Sequence, residues 1–188
     1  GRMQPGDFEK SEPFKEAKNL TKFVLILKKS KEYKKLLLQT ENYLQFCKKQ
    51  WEGNYKYSSE VIKELTGFNL NKQFTVFITH PSLRNGRYLG NNRIAWGHYE
   101  DWSNYATVYL WHEILHSYLT FSDKDHAIIQ LIADNELRIK LNKEKCLPLK
   151  GHKELFLLMK KMHPKWKKYT IARRKNFKEL CKSLPSKP

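Results

Sequence analysis

Cysteine is scarce. Cys47, Cys146 and Cys181 are the only three in 188 residues, and their odd number and wide spacing exclude a disulfide framework or a C-x-x-C pair. Such thiols suit a reducing compartment such as the cytoplasm. The Gly1-Arg2 start resembles a cloning scar, so a removed leader, and with it the location, stays open. Long apolar runs are missing too. The longest aliphatic or aromatic run, Phe23-Val24-Leu25-Ile26-Leu27, is far below the roughly 20 residues of a spanning helix. Eight glycines and seven prolines are too few for a collagen-like or linker-type chain. Acidic residues are outnumbered, 19 Asp+Glu against 36 Lys+Arg, for a net charge of +17. Arginine supplies only seven of the basic residues. Specific phosphate and base readers lean on its planar fork, so the lysine excess reads as a solvated surface before it reads as a nucleic-acid site.

What is present is a core. Hydrophobic residues make up 40% and aromatics 13%, which excludes a disordered polycation. The length fits one compact domain with a helical appendage. Residues 1–70 read as a helical N-terminal extension. Ser30 can cap a helix to about Trp51, and Ser58 or Ser59 can start a shorter one that Gly67 ends. Residues 71–188 read as the main unit. Phe74–Thr79 has the β-branched and aromatic texture of a buried strand, and Arg93–Gly97 reads as a second strand, at an edge. Helices follow at about Asn104–Thr120 and Lys124–Asn142, the latter capped by Ser122, then at Lys153–Met162 and Pro164–Ser183. The expected class is α+β, helix-rich, with a small mixed sheet.

The stretch that carries chemistry is His112-Glu113-Ile114-Leu115-His116, H-E-x-x-H on a helix. Residues four apart share a helix face, so His112 and His116 can offer two imidazoles to one metal ion. Neutral imidazole is a good Zn²⁺ ligand. Glu113 stands beside the first of them, where it can act as a general base without itself coordinating. Leu110, Ile114, Tyr118, Val108, Trp111, Leu115 and Leu119 cover the other sides of the helix, which is therefore largely buried. Polar groups on such a helix need a partner, and a metal is one.

A catalytic zinc takes three protein ligands and keeps one open position. The metzincin pattern would need Gly at 119 and His at 122; the chain has Leu119 and Ser122. Asp123, Asp125 and His126 fall at a helix start, where capping and solvent account for them. Glu136 is the expected third ligand, because it shares a helix side with the apolar Ile129, Ile132 and Ala133, and buried acids are normally paired or metal-bound.

H-E-x-x-H followed by Asn135-Glu136 resembles the gluzincin metallopeptidases of the thermolysin type, and among them the small minigluzincins. The resemblance covers about Arg93–Leu141. It implies a zincin-like domain with a small sheet over the H-E-x-x-H helix. It also implies His112, His116 and Glu136 as zinc ligands, Glu113 as base, and an edge strand at Ile94, Ala95 and Trp96 that holds an extended peptide by β-strand addition. The family pattern has an acidic residue four positions after the ligand glutamate, hydrogen-bonded to a ligand histidine. Lys140 stands there instead, so that group must come from elsewhere. His163 and Tyr169 are positioned in sequence to stabilise an oxyanion.

The expected activity is zinc-dependent hydrolysis of peptide or protein substrates. Two alternatives stand beside it: a non-enzymatic basic binding module with a structural or vestigial zinc site, and a latent protease with an occluded cleft. The basic stretch Lys160–Lys182, with Trp166, Tyr169 and Phe177, reads as an amphipathic helix closing the domain, ahead of a nucleic-acid surface.

Overall fold

The computed structural model describes residues 20–143 and 149–187; Cys146 lies outside them. A short helix α1 (Leu20–Lys29) leads at Ser30 into a 36-residue helix α2 (Lys31–Thr66). The Ser30 hydroxyl accepts from the Tyr33 amide, and Gly67 closes the far end in the left-handed conformation at φ 70°. Both caps match the sequence reading, but the break expected between Trp51 and Ser58 is absent. Gly53 costs a helix only about 1 kcal/mol, and the flanking turns are held by packing. Tyr55 stacks on Trp111 and Trp51 packs against it at a tilt, and the Trp111 indole N–H donates to the buried Ser58 hydroxyl at 2.8 Å.

Three strands form a mixed sheet in the order β1 (Thr75–Ile78), β3 (Arg93–Gly97), β2 (Asn85–Gly90). β1 runs parallel to β3, with Thr75 opposite Arg93, and β2 runs antiparallel to it. The expectation of an edge strand at Ile94, Ala95 and Trp96 is therefore corrected: that strand is central, and Ile94 and Trp96 are buried. The two edges are β1 and β2, and the Asn85-Gly86 and Gly90-Asn91 of β2 read in sequence only as turns.

The H-E-x-x-H helix α3 (Tyr105–Leu115) is shorter than expected, with His116 as its C-cap. Ser122 caps α4 (Asp123–Gln130) through the Asp125 amide, as its sequence suggests. The chain then enters a π-helical turn (Leu131–Leu137) before α5 (Arg138–Asn142). Near the C-terminus α6 (Phe156–Thr170) continues through Pro164, and α7 (Phe177–Ser183) follows. Trp166, Tyr169 and Phe177 are buried, as a closing helix requires.

One apolar cluster joins α2 from Tyr43 onward to the sheet and the later helices, from Tyr43, Cys47, Ile62 and Leu65 of α2, through Ile94, Trp96 and Trp111, to Leu158, Met162 and Trp166. The helical stretch before residue 70 thus shares the core of the rest from Tyr43 onward. Ser58→Ala removes the acceptor for the buried Trp111 N–H. We expect it to lower stability by about 1–3 kcal/mol in denaturant unfolding, with an unchanged slope.

Candidate metal centre

The stretch α4 to Leu137 meets α3 through His126 and Asp134, eight residues apart on a four-residue repeat that also includes Gln130. Asp134 reaches His112 Nδ1 with both oxygens, at 3.0 and 3.1 Å. His126 Nε2 lies 3.1 Å from His112 Nε2. The carboxylate fixes the tautomer: Nδ1–H donates to Asp134, so Nε2 presents its lone pair toward His126. This is the orienting acid that Lys140 cannot be, and it comes two residues before Glu136 rather than four after it.

The rings of His112, His116 and His126 form a nearly equilateral triangle, with centroids 5.2, 5.1 and 5.0 Å apart. A tetrahedral ion with M–N bonds of ~2.0–2.1 Å would also set three imidazole centroids about 5 Å apart, but the group whose donor atoms converge includes His152 and not His116. His152, on the segment before α6, adds a fourth imidazole, 4.8 Å from the His126 ring. Among the described residues, the donor atoms that all lie within 4.8 Å of one another belong to His112, His126 and His152. A cluster of histidines able to hold a metal ion is therefore present.

Glu136 is not brought to it. Its carboxylate lies 3.7 Å from Lys140 Nζ. The apolar side used to place it assumed α-helical spacing. The π-helical turn widens the spiral at Leu131–Leu137, which turns Asp134 rather than Glu136 toward α3. His126, set aside in sequence as part of a helix start, takes the inward place. The signal that could have found it was the four-residue spacing of His126, Gln130 and Asp134.

Glu113 is buried at 8% exposure and borders the same cleft as His112, His116, His126 and the β2 residues Gly86–Gly90. Burial raises its pKa, opposed by the neighbouring His112 and by the Tyr88 backbone N–H. Gly86 makes room for it. A Cβ there would stand 2.9 Å from the Trp96 ring and 3.1 Å from Glu113 Oε1, so any side chain would push one or the other. Glu113 also borders a cavity of about 430 Å³ lined by Arg84, Trp96, His98, Tyr109 and Lys150 among others.

His152 is held by an indirect route. The Asn135 side chain accepts from the Lys150 amide at 2.8 Å and donates to the Lys150 carbonyl at 2.9 Å. Gly151 follows at φ 144°, and a Cβ on it would collide with the buried Gln130 amide. The Asn of the Asn-Glu pair thus serves the loop that carries His152. Of the two residues considered for the oxyanion, Tyr169 is committed elsewhere: its buried hydroxyl donates to the Leu65 carbonyl. His163 borders neither cavity beside Glu113.

Burial, then the charge of neighbouring imidazoles, depresses His116 to about 3 and His126 to about 4. At His112 burial also disfavours the charge, but Asp134 outweighs it and the pKa is raised. At neutral pH His116 and His126 therefore keep lone pairs free for a cation, and the His116 Nδ1 atom is buried without a hydrogen-bond partner. No family model, curated protein or solved structure matches the chain.

The depressed histidines make a stability prediction for metal-free protein. Between an unfolded pKa of about 6.5 and the folded values of about 4 and about 3, the unfolded chain binds more protons. Stability from these two groups is present above that window and is lost as pH falls through it. Raised Glu113 works the other way and offsets part of it. The expected outcome is a melting temperature that drops between pH 6.5 and 4, with a smaller drop in His126→Ala.

Proposed function

We propose that the chain is a zinc-dependent peptidase with a zincin-like arrangement, in which His112, His116 and His126 hold the ion and Glu113 is the general base. The observation that carries this reading is a cluster of imidazoles, His112, His126 and His152 with the His116 ring against the first two, beside the buried Glu113 of the H-E-x-x-H helix. It keeps the expected base and the first two ligands, and it replaces Glu136 with His126. A bound Zn²⁺ supplies Lewis acidity to the scissile carbonyl and makes water a nucleophile at neutral pH.

The rest is done by the chain's own groups. Asp134 holds the His112 ring in orientation through Nδ1. Glu113, flanked by Gly86 and the Tyr88 N–H, accepts a proton from the attacking water. It delivers that proton to the departing amine nitrogen as the C–N bond breaks. β2, the sheet edge that borders the cleft, offers its outer backbone side to an extended peptide, with the Tyr88 N–H turned to Glu113. This edge supports a peptide substrate over a small molecule, and it moves the expected substrate strand from Ile94–Trp96 to Gly86–Gly90. His152 favours a second reading, a latent form in which the fourth imidazole fills the place a substrate needs. In that case His152→Ala would raise activity rather than lower it.

Metal analysis together with cleavage of a mixed peptide library tests the proposal. One zinc per chain is expected. His126→Ala should cost more zinc affinity than the ~10–100-fold typical of an outer partner, while Glu136→Ala should leave it nearly unchanged. The reverse order would restore Glu136 as the ligand. Glu113→Gln should keep zinc and fold but lose ~10²–10⁴-fold in rate. Cleavage by Glu113→Gln at the wild-type rate would refute the mechanism.

A further inference from the structure

The arm formed by α1 and the first three turns of α2 adds no residue to the main apolar cluster, although Phe23 on α1 is buried and Gln39 on α2 meets His80 at 3.1 Å. The apolar cluster takes its first α2 residue at Tyr43, and nearly every residue from Lys31 to Asn42 is exposed. This arm is nevertheless rich in large apolar side chains facing solvent. Val24, Leu25 and Leu27 are exposed on α1, and Leu36, Leu37 and Leu38 on α2, with Leu38 at 58% and Leu25 at 56%. Three consecutive exposed leucines are not what a solvated helix carries unless the surface has a use.

Charge says what kind of surface would cover them. Residues 20–40 hold six lysines, at 22, 28, 29, 31, 34 and 35, against the single acid Glu32. Leucines interleaved with lysines on a helical pair suit an interface with apolar depth and negative charge. An anionic bilayer surface offers both, since acyl chains receive the leucines and headgroup phosphates and carboxylates receive the ammonium groups. A second copy of this chain would instead bring lysine against lysine. No described helix is long and apolar enough to cross a membrane, so the arm would lie on the surface.

We propose that α1 and the first turns of α2 form an anionic-membrane docking arm. It holds the domain at a lipid surface by leucine insertion and lysine attraction. The inference rests on the arm alone and is independent of the metal centre.

Flotation of the full chain with phosphatidylcholine vesicles, with and without phosphatidylserine, tests it. Binding should require phosphatidylserine and fall with added salt. Combined Lys31→Glu, Lys34→Glu and Lys35→Glu should weaken partitioning at least about a hundredfold, since each lysine near such a surface contributes about 1 kcal/mol. Combined Leu36→Ser, Leu37→Ser and Leu38→Ser should also abolish flotation. Because these side chains are outside the core, the melting temperature of both variants should stay close to wild type, which separates lost docking from lost fold. No flotation of the wild type would overturn the proposal. So would flotation that both variants retain. A wild-type dimer in sedimentation that the leucine variant dissolves, with no vesicle binding, would assign the surface to self-association instead.

Discussion

The hydrogen bond from His112 Nδ1 to Asp134 ties the two halves of the site together. It crosses from α3 to the π-helical turn inside the core, where both partners are almost fully buried. A buried carboxylate without a partner would be costly, so this contact sets the rotation of one helical segment against the other. Once Asp134 faces His112, the residue eight positions earlier, His126, is brought to the other nitrogen of the same ring. The residue two positions later, Glu136, is turned away to Lys140. The candidate ligand set follows from that one register.

The same register organises the loop after α5. Asn135 is buried, and it clamps the Lys150 backbone from both sides. Gly151 then passes over the Gln130 amide, and His152 arrives beside His126. Neighbouring residues of one π-helical turn thus do separate jobs: Asp134 orients an imidazole on α3, and Asn135 fixes a segment that brings another.

The parts legible in the sequence were those set by local chemistry. Ser30, Gly67 and Ser122 marked helix ends because capping is decided within four residues. H-E-x-x-H marked the centre because i and i+4 share a face. The texture of Phe74–Thr79 and Arg93–Gly97 marked two strands. What failed depended on distant partners. The continuity of α2 across Gly53 rests on Trp111, and the interior place of β3 rests on β2, a strand whose glycines hid it. Glu136 was favoured by counting at α-helical spacing, and a π-helical turn invalidates such a count from inside the element. His126 was dismissed as cap chemistry, although that work falls to Ser122, which accepts from the Asp125 amide, and to Asp125, which accepts from the Thr120 amide at 3.0 Å. The histidine was thereby free for other use.

Glycine at two points shows how little space the site leaves. Gly86 lets β2 approach α3 so closely that Trp96 and Glu113 fill the volume a Cβ would need. That approach has two consequences with one cause. It buries Glu113, which raises its affinity for protons, and it lays one edge of the sheet along the cleft. A wider gap would admit water, lower the basicity of the carboxylate and move the edge out of reach of the imidazoles. The tuning of the proposed base and the seating of an extended chain are therefore not independent features. Both depend on a backbone approach that residue 86 permits only without a side chain.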